Sequence, residues 1–332
     1  EALEVLEAGL PPHLAWRAEG LKGRILERLG RHGEAALAYE RGAELALGLE
    51  RYWLLLDAAA MWLEAGEGER ALLALKEAEA AVGEEDPEDA ATRHYLLARA
   101  HLLLGNPGLA LEEIRKALAL EEESGHKAYG TPLVEGQALL QLGRYEEAMA
   151  SFREALARAD AGERPHVLHE MGVAALDHGA YPEAEEHLRA LVREEGYPYL
   201  AQAYADLAEA LYRQGRYQEA EAAAREAVAR GAVAAGELVL GHVAYDLLHL
   251  EEALEHYRKA AESAEEGSRE WVGAQEMVVD TLAQLGYRFP EEMVRRGQAV
   301  LPYLHPADEW HAALTAYVER AQALLREGKR LN

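Results

Sequence analysis

Small residues return along this chain at intervals too regular for a single globular core and too long for one helix. Ala35, Ala71, Ala110, Ala148, Ala184, Ala220 and Ala253 are spaced by 36, 39, 38, 36, 36 and 33 residues. A second small column, Gly23, Ala59, Ala98, Gly136, Gly172, Ala208 and Gly241, precedes the first by 12 residues each time. Between the columns stand Gly30, Gly66, Gly105, Gly143, Gly179, Gly215 and Leu248. Two helices that cross closely need a small side chain at the contact, and a glycine between them supplies the left-handed turn that ends the first helix. The spacing therefore predicts a row of helix-turn-helix units, with the two small columns facing each other across each hairpin.

Length then counts repeats rather than domains, since a repeat array grows in one dimension. The composition agrees with an all-α chain. Half of the 332 residues are hydrophobic, yet only 2 are Phe, while Ala, Leu, Glu and Arg dominate. Without cysteine there is no disulfide framework, no thiolate metal site and no thiol nucleophile. Few asparagines and a surface laced with Glu and Arg suit a thermophile or a GC-rich genome.

A formal charge of −26 argues against direct nucleic-acid contact, which needs a basic stripe to neutralise phosphates. It argues against an anionic membrane surface for the same reason. No apolar run approaches the roughly 20 residues of a spanning helix, and no signal peptide opens the chain, so a cytoplasmic protein is expected.

The stretch Leu142 to Leu156, LGRYEEAMASFREAL, carries the unit most plainly: Gly143, Tyr145, Ala148, Phe152 and Ala155. The frame repeats as Gly179, Tyr181, Ala184 and Leu188, and again as Gly215, Tyr217, Ala220 and Ala227. This pattern resembles the tetratricopeptide repeat. The resemblance implies a right-handed α–α superhelix of hairpins. Its departures are a weak Trp column, few prolines after the second helices, and Leu248 in place of glycine.

Laid out on this frame, residues 1–12 match the second helix of a truncated repeat, as though a longer protein had been cut. Residues 13–264 hold seven hairpins. Surplus residues fall between hairpins, at Gly83 to Asp89, Glu121 to Thr131 and Asp160 to Pro165. Residues 265–305 form a divergent hairpin with a longer turn at Tyr287 to Phe289, and Pro290 starts its second helix. Residues 306–332 form a capping helix, with Trp310, Leu314, Tyr317, Ala321, Leu324 and Leu325 on one stripe.

No phosphate-cradling motif and no nucleophile elbow occurs, so the residues point to no enzyme and no cofactor. His166 and His169, three apart with Glu170 beside them, could share one face for a metal ion. The pattern weighs toward groove-facing histidines without an ion, because the third ligand would have to come from another repeat. Paired carboxylates such as Glu146-Glu147, Glu185-Glu186 and Glu251-Glu252 sit at helix starts, where they suit the dipole.

In the resembling fold the first helices line a concave groove. Counting back from each turn residue places Arg17, Arg24, Trp53, Tyr95, Arg99, Gln137, His166, His169, Glu170, Asp206, Glu209, Tyr212, His242 and Tyr245 there. Aromatics and arginine are the residue types that anchor partners. The order of charge, Arg17, Arg24 and Arg99 early and Asp206 and Glu209 late, would steer a partner of complementary order. Family members that grip chaperone tails use Lys and Asn at two groove positions. Those positions here hold Gly20 and Arg24, Leu56 and Ala60, Tyr95 and Arg99, and Leu133 and Gln137, so that clamp is missing.

The expectation is a non-catalytic scaffold that binds a protein or peptide in its groove, with oligomeric state open. The alternative is a ligand-sensing or oligomerisation arm. The long Ala-Leu-rich units are similar to the repeat region of large bacterial transcription activators, whose DNA-binding domains lie outside the repeats.

Overall fold

The computed structural model describes residues 14–194 and 196–330. The expected helix over residues 1–12 lies outside them. Among the described residues there are 17 α-helices and no strand.

The helices alternate as first and second members of hairpins. They are α1 (Ala15–Arg28), α2 (His32–Leu45), α3 (Gly48–Glu64), α4 (Gly68–Ala81), α5 (Pro87–Leu103), α6 (Pro107–Ser124), α7 (Gly130–Gln141), α8 (Tyr145–Arg158) and α9 (Arg164–His178). Then follow α10 (Tyr181–Leu191), α11 (Leu200–Arg213), α12 (Tyr217–Arg230), α13 (Val233–Asp246), α14 (Leu250–Ser263), α15 (Arg269–Gln284), α16 (Pro290–Val300) and α17 (Glu309–Arg330). A short 3₁₀ turn, Leu301–Tyr303, follows α16. The chain divides into two compact units, Glu1–Val167 and Leu168–Asn332, and the division falls within α9.

The turns explain the glycine column. Gly30, Gly66, Gly105, Gly143, Gly179 and Gly215 have φ between 71° and 81°. The amide just after each turn residue reaches back to a helix carbonyl, as in Arg31 N to Leu26 O at 2.9 Å and Glu67 N to Trp62 O at 2.8 Å. This closure satisfies an end carbonyl that the helix leaves orphaned. Leu248, which replaces glycine, takes the same conformation with φ 62° and the same bond, His249 N to Ala244 O at 2.8 Å. Elsewhere, helix starts use proline at the first turn, as in α5, α6 and α16. Asp86 and Ser268 accept a backbone amide at the starts of α5 and α15.

Where the column on the first helix carries glycine, its tightest contact is a large side chain of the second helix. A Cβ added to Gly23 would lie 2.7 Å from the Tyr39 ring, one on Gly172 2.7 Å from Leu188, and one on Gly241 2.5 Å from Tyr257. Each of these partners sits four residues after the alanine, so glycine on the first helix makes room for a large side chain on the second. Every alanine of the column on the second helices, from Ala35 to Ala253, is 0% exposed.

The first unit packs around Tyr39, Tyr52, Leu55, Trp62 and Leu75. The second packs around Tyr257, Trp271, Val278, Leu282 and Met293, against which α17 lays Leu314 and Ala321, with Trp310 and Tyr317 partly buried. Val318, outside the expected stripe, is also buried and approaches Gly297 so closely that a Cβ there would lie 2.2 Å away. The stripe is therefore centred on residues 314, 318 and 321, the 3.6-residue period of one helix face.

Candidate functional site

In the second unit the first helices α9, α11, α13 and α15 share one cleft of about 680 Å³. Its floor is aliphatic: Val173, Leu176, Ala205, Leu238, Val239 and Val272. Its rim carries Asp177, Asp206, Glu209, Glu270 and Glu276 against Arg213 and Arg269. Helical periodicity sets this arrangement, since residues three and four apart, such as Gln202, Ala205, Asp206 and Glu209 on α11, line the same face.

Of the groove residues expected from sequence, Asp206, Glu209 and His242 line this cleft. His169 stands behind Asp206. Its Nε2 lies 2.8 Å from Asp206 Oδ2 and its Nδ1 2.8 Å from the Tyr197 hydroxyl, so both ring nitrogens are engaged. Tyr212 stacks on His242 with ring centroids 5.5 Å apart and planes at 21°. His242 Nδ1 in turn meets the Tyr257 hydroxyl at 2.9 Å. Burial pulls the His242 pKa below its ordinary value, and burial with the Asp246 carboxylate pushes the Tyr212 hydroxyl upward. Tyr245 turns away from the cleft and donates to Asp280 Oδ2 at 2.5 Å. His166 and Glu170 are half-buried on α9 and do not line the cleft. Among the described residues no group of three His, Asp or Glu gathers as metal ligands would.

The unexpected lining comes from α15, where Glu270, Val272, Gly273 and Glu276 complete the wall. The divergent turn hides this helix from a count based on turn glycines, although Gly286, with φ 78°, marks the same turn. Glu276 is the most perturbed acid of the cleft. Its pKa is pushed up to about 7, chiefly by burial, with the Asp308 charge adding to the rise and a hydrogen bond to Trp310 opposing it.

Smaller hollows lie in the first unit. Arg99 and Gln137 meet in one of about 560 Å³ with Leu63, Leu102, Leu103 and Leu140. Arg99 there is not a lone cation, since it donates to Glu64 at 2.8 Å and lies 5.8 Å from the Tyr95 ring centroid. Tyr95 also lines a hollow of about 470 Å³ beside the residues between α6 and α7. At its floor Glu121, only 6% exposed, accepts from Arg158 at 2.8 Å and from the Thr131 hydroxyl. No periodic count finds Glu121, because it lies in the surplus turn that lengthens α6. Trp53 is exposed and donates its indole N–H to Asp89 at 3.1 Å. Arg17 and Arg24 are exposed on α1, with Arg17 over the Trp16 ring at 5.0 Å.

The carboxylates at helix starts also differ from the simple dipole reading. Glu185 on α10 accepts from Arg189 and Arg216 at 2.6 Å and from Gln214 at 3.0 Å, tying one hairpin to the next. Burial opposes ionisation of Glu185, yet these donors hold its carboxyl below the ordinary range. No described helix is long and apolar enough to cross a membrane.

Residues 169–235, and residues 91–124 and 134–161, match family models of the tetratricopeptide repeat. A comparison with curated proteins gives no match. Among solved structures, the chain is similar to the C-terminal part of a TPR repeat-containing protein from Cytophaga hutchinsonii, at 15% identity and TM-score 0.53 over 78% of this chain and 98% of that one. It is similar to a tetratricopeptide repeat protein from Parabacteroides merdae, at 17% identity and TM-score 0.55 over 80% and 98%. It is also similar to a chain of the APC/C hetero-tetramer Cut9–Hcn1, at 14% identity and TM-score 0.58 over 96% of this chain and 58% of that one. At these identities the likeness is one of fold.

Proposed function

We propose that this chain, built of tetratricopeptide repeats, is a non-catalytic scaffold that holds a protein or peptide partner against the inner faces of its first helices. Repeats of this kind serve protein–protein interaction. One observation carries the groove assignment: four successive first helices, α9, α11, α13 and α15, contribute to one cleft with an aliphatic floor and a polar rim. Such a surface offers area for apolar contact and polar groups for register. The His169–Asp206–Gln202 bonds and the Tyr212–His242 stack hold its groups in place before a partner arrives, which lowers the ordering cost of binding. The likeness to large bacterial transcription activators rests on composition and unit length, and no feature of the groove selects it.

Photo-crosslinking tests the reading. A benzophenone side chain placed at Val173, 38% exposed in the cleft, is expected to capture a discrete partner from extract of the source organism. The same group at Glu226, on the exposed face of the second helix α12, is expected to capture none. Equal capture from both positions would reject the groove as the binding face.

A further inference from the structure

The cleft of the second unit is chemically one-sided. Five carboxylates face it against two guanidinium groups, each of which has one of those carboxylates as a neighbour. Arg213 lies 2.9 Å from Glu209, and Arg269 reaches Asp177 at 3.9 Å. Among the described residues, Glu270 and Glu276 have no ion-pair partner at all. Glu270 opens α15 and Glu276 lies two turns further along it, with Val272 and Gly273 between them. The acidic positions therefore alternate with an apolar floor over a length that several side chains could span. A cationic side chain placed beside Glu270 and Glu276 would supply the opposite charge that these two carboxylates do not find among the described residues.

We propose that this cleft takes a cationic amphipathic peptide segment, with lysine or arginine heads on Asp206, Glu209, Glu270 and Glu276 and aliphatic side chains on Leu238, Val239 and Val272. The assignment rests on the groove reading above and adds the partner's charge. The net charge of −26 for the whole chain acts in the same direction, drawing a basic segment in at long range. An acidic segment would meet five carboxylates on the rim against two guanidinium groups. A highly hydrated polycation without apolar residues would leave the floor empty.

The test uses the full chain and three fluorescein-labelled peptides of 14 residues: one of Lys, Leu and Ala with leucines on one helical face, one with every Lys replaced by Glu, and one of Lys and Gly alone. Fluorescence anisotropy near 0.15 M salt is expected to rank the Lys-Leu peptide tightest. Glu209→Gln with Glu270→Gln should weaken it by about tenfold, since each removes a rim charge. The control, Glu251→Gln with Glu252→Gln, makes the same change in net charge at exposed positions of α14 outside the cleft and should leave binding within about twofold. Circular dichroism confirms that both double variants are folded. Equal weakening by the two double variants, or equal binding of the Lys-Gly peptide, would reduce the effect to bulk charge and overturn the proposal. Binding of the Glu-Leu peptide as tight as that of the Lys-Leu peptide would also overturn it while leaving the groove reading intact. If neither leucine-bearing peptide binds but Val173 still captures a partner, the cationic assignment falls alone; if that capture fails as well, both readings fall.

Discussion

Gly136 on α7 and Phe152 on α8 fit one another so tightly that a Cβ on the glycine would lie 2.4 Å from the ring's Cε1. The ring is 0% exposed. The same pairing recurs wherever an aromatic occupies this place on the second helix: Tyr39 faces Gly23 and Tyr257 faces Gly241. At these crossings the absence of a side chain on the first helix is matched by a ring on the second, as close packing requires.

Gly136→Ala is therefore expected to destabilise the chain by about 2 kcal/mol through overpacking, despite alanine's better helix propensity. Adding Phe152→Leu should recover part of the loss, because the smaller side chain vacates the space. Urea denaturation of the single and double variants measures both effects. An unchanged midpoint for Gly136→Ala would mean that the hairpin can open at little cost.

Leu248→Gly should act in the opposite direction. Leucine at φ 62° carries a left-handed strain of about 1–2 kcal/mol, and its side chain, 80% exposed, has little burial to lose. Against this stands the greater chain entropy of glycine when unfolded, so a net gain of about 0.5–1 kcal/mol is expected. A lower melting temperature for the variant would contradict the strain assignment.

Glu276 should make stability depend on pH. Its pKa is pushed up to about 7 in the folded chain, from an ordinary 4.5, so the folded state binds more protons than the unfolded state between these values. Stability contributed by the neutral form is full below about pH 4.5 and is lost as pH rises through 7. Glu276→Gln is then expected to raise stability at pH 8 by on the order of 1 kcal/mol, less than the full shift because the side chain keeps some water. At pH 4 the difference should vanish. Thermal melts at the two pH values measure it, and an equal gain at both would point to packing rather than charge.

Truncation after Tyr303 should expose the apolar side of α16. Met293 and Val300, each 0% exposed, lie in the cluster that Leu314 and Ala321 of α17 complete. Exposed clusters of this kind drive association in repeat proteins that lack a polar cap. Light scattering should show aggregation of the truncated chain. A monomer with an unchanged melting curve would show that α17 is dispensable.

Ala148, Gly136 and Gly143 show why the hairpins could be read from the chain alone. Helix crossing and helix ending each impose a local steric demand, and a local demand leaves a residue type at a fixed offset. Leu248 shows the strength of that logic: its position in the frame predicts a left-handed turn against its own preference, and φ is 62°. The large side chain that fills the space above each glycine sits at a fixed offset, four residues after the alanine, but that the two touch is a contact between helices that only the packed hairpin shows. The site divides in the same manner. Asp206, Glu209 and His242 follow from helical periodicity, whereas Glu270 and Glu276 enter the cleft only because α15 packs beside α13. Tyr245 lies outside it and donates instead to Asp280, buried on the next first helix. Sequence determined the helices, their ends and the faces they present, all set by neighbours within a turn or two. Tertiary packing alone decided which charges share one cleft, since charge and burial act through space between residues that the chain holds far apart.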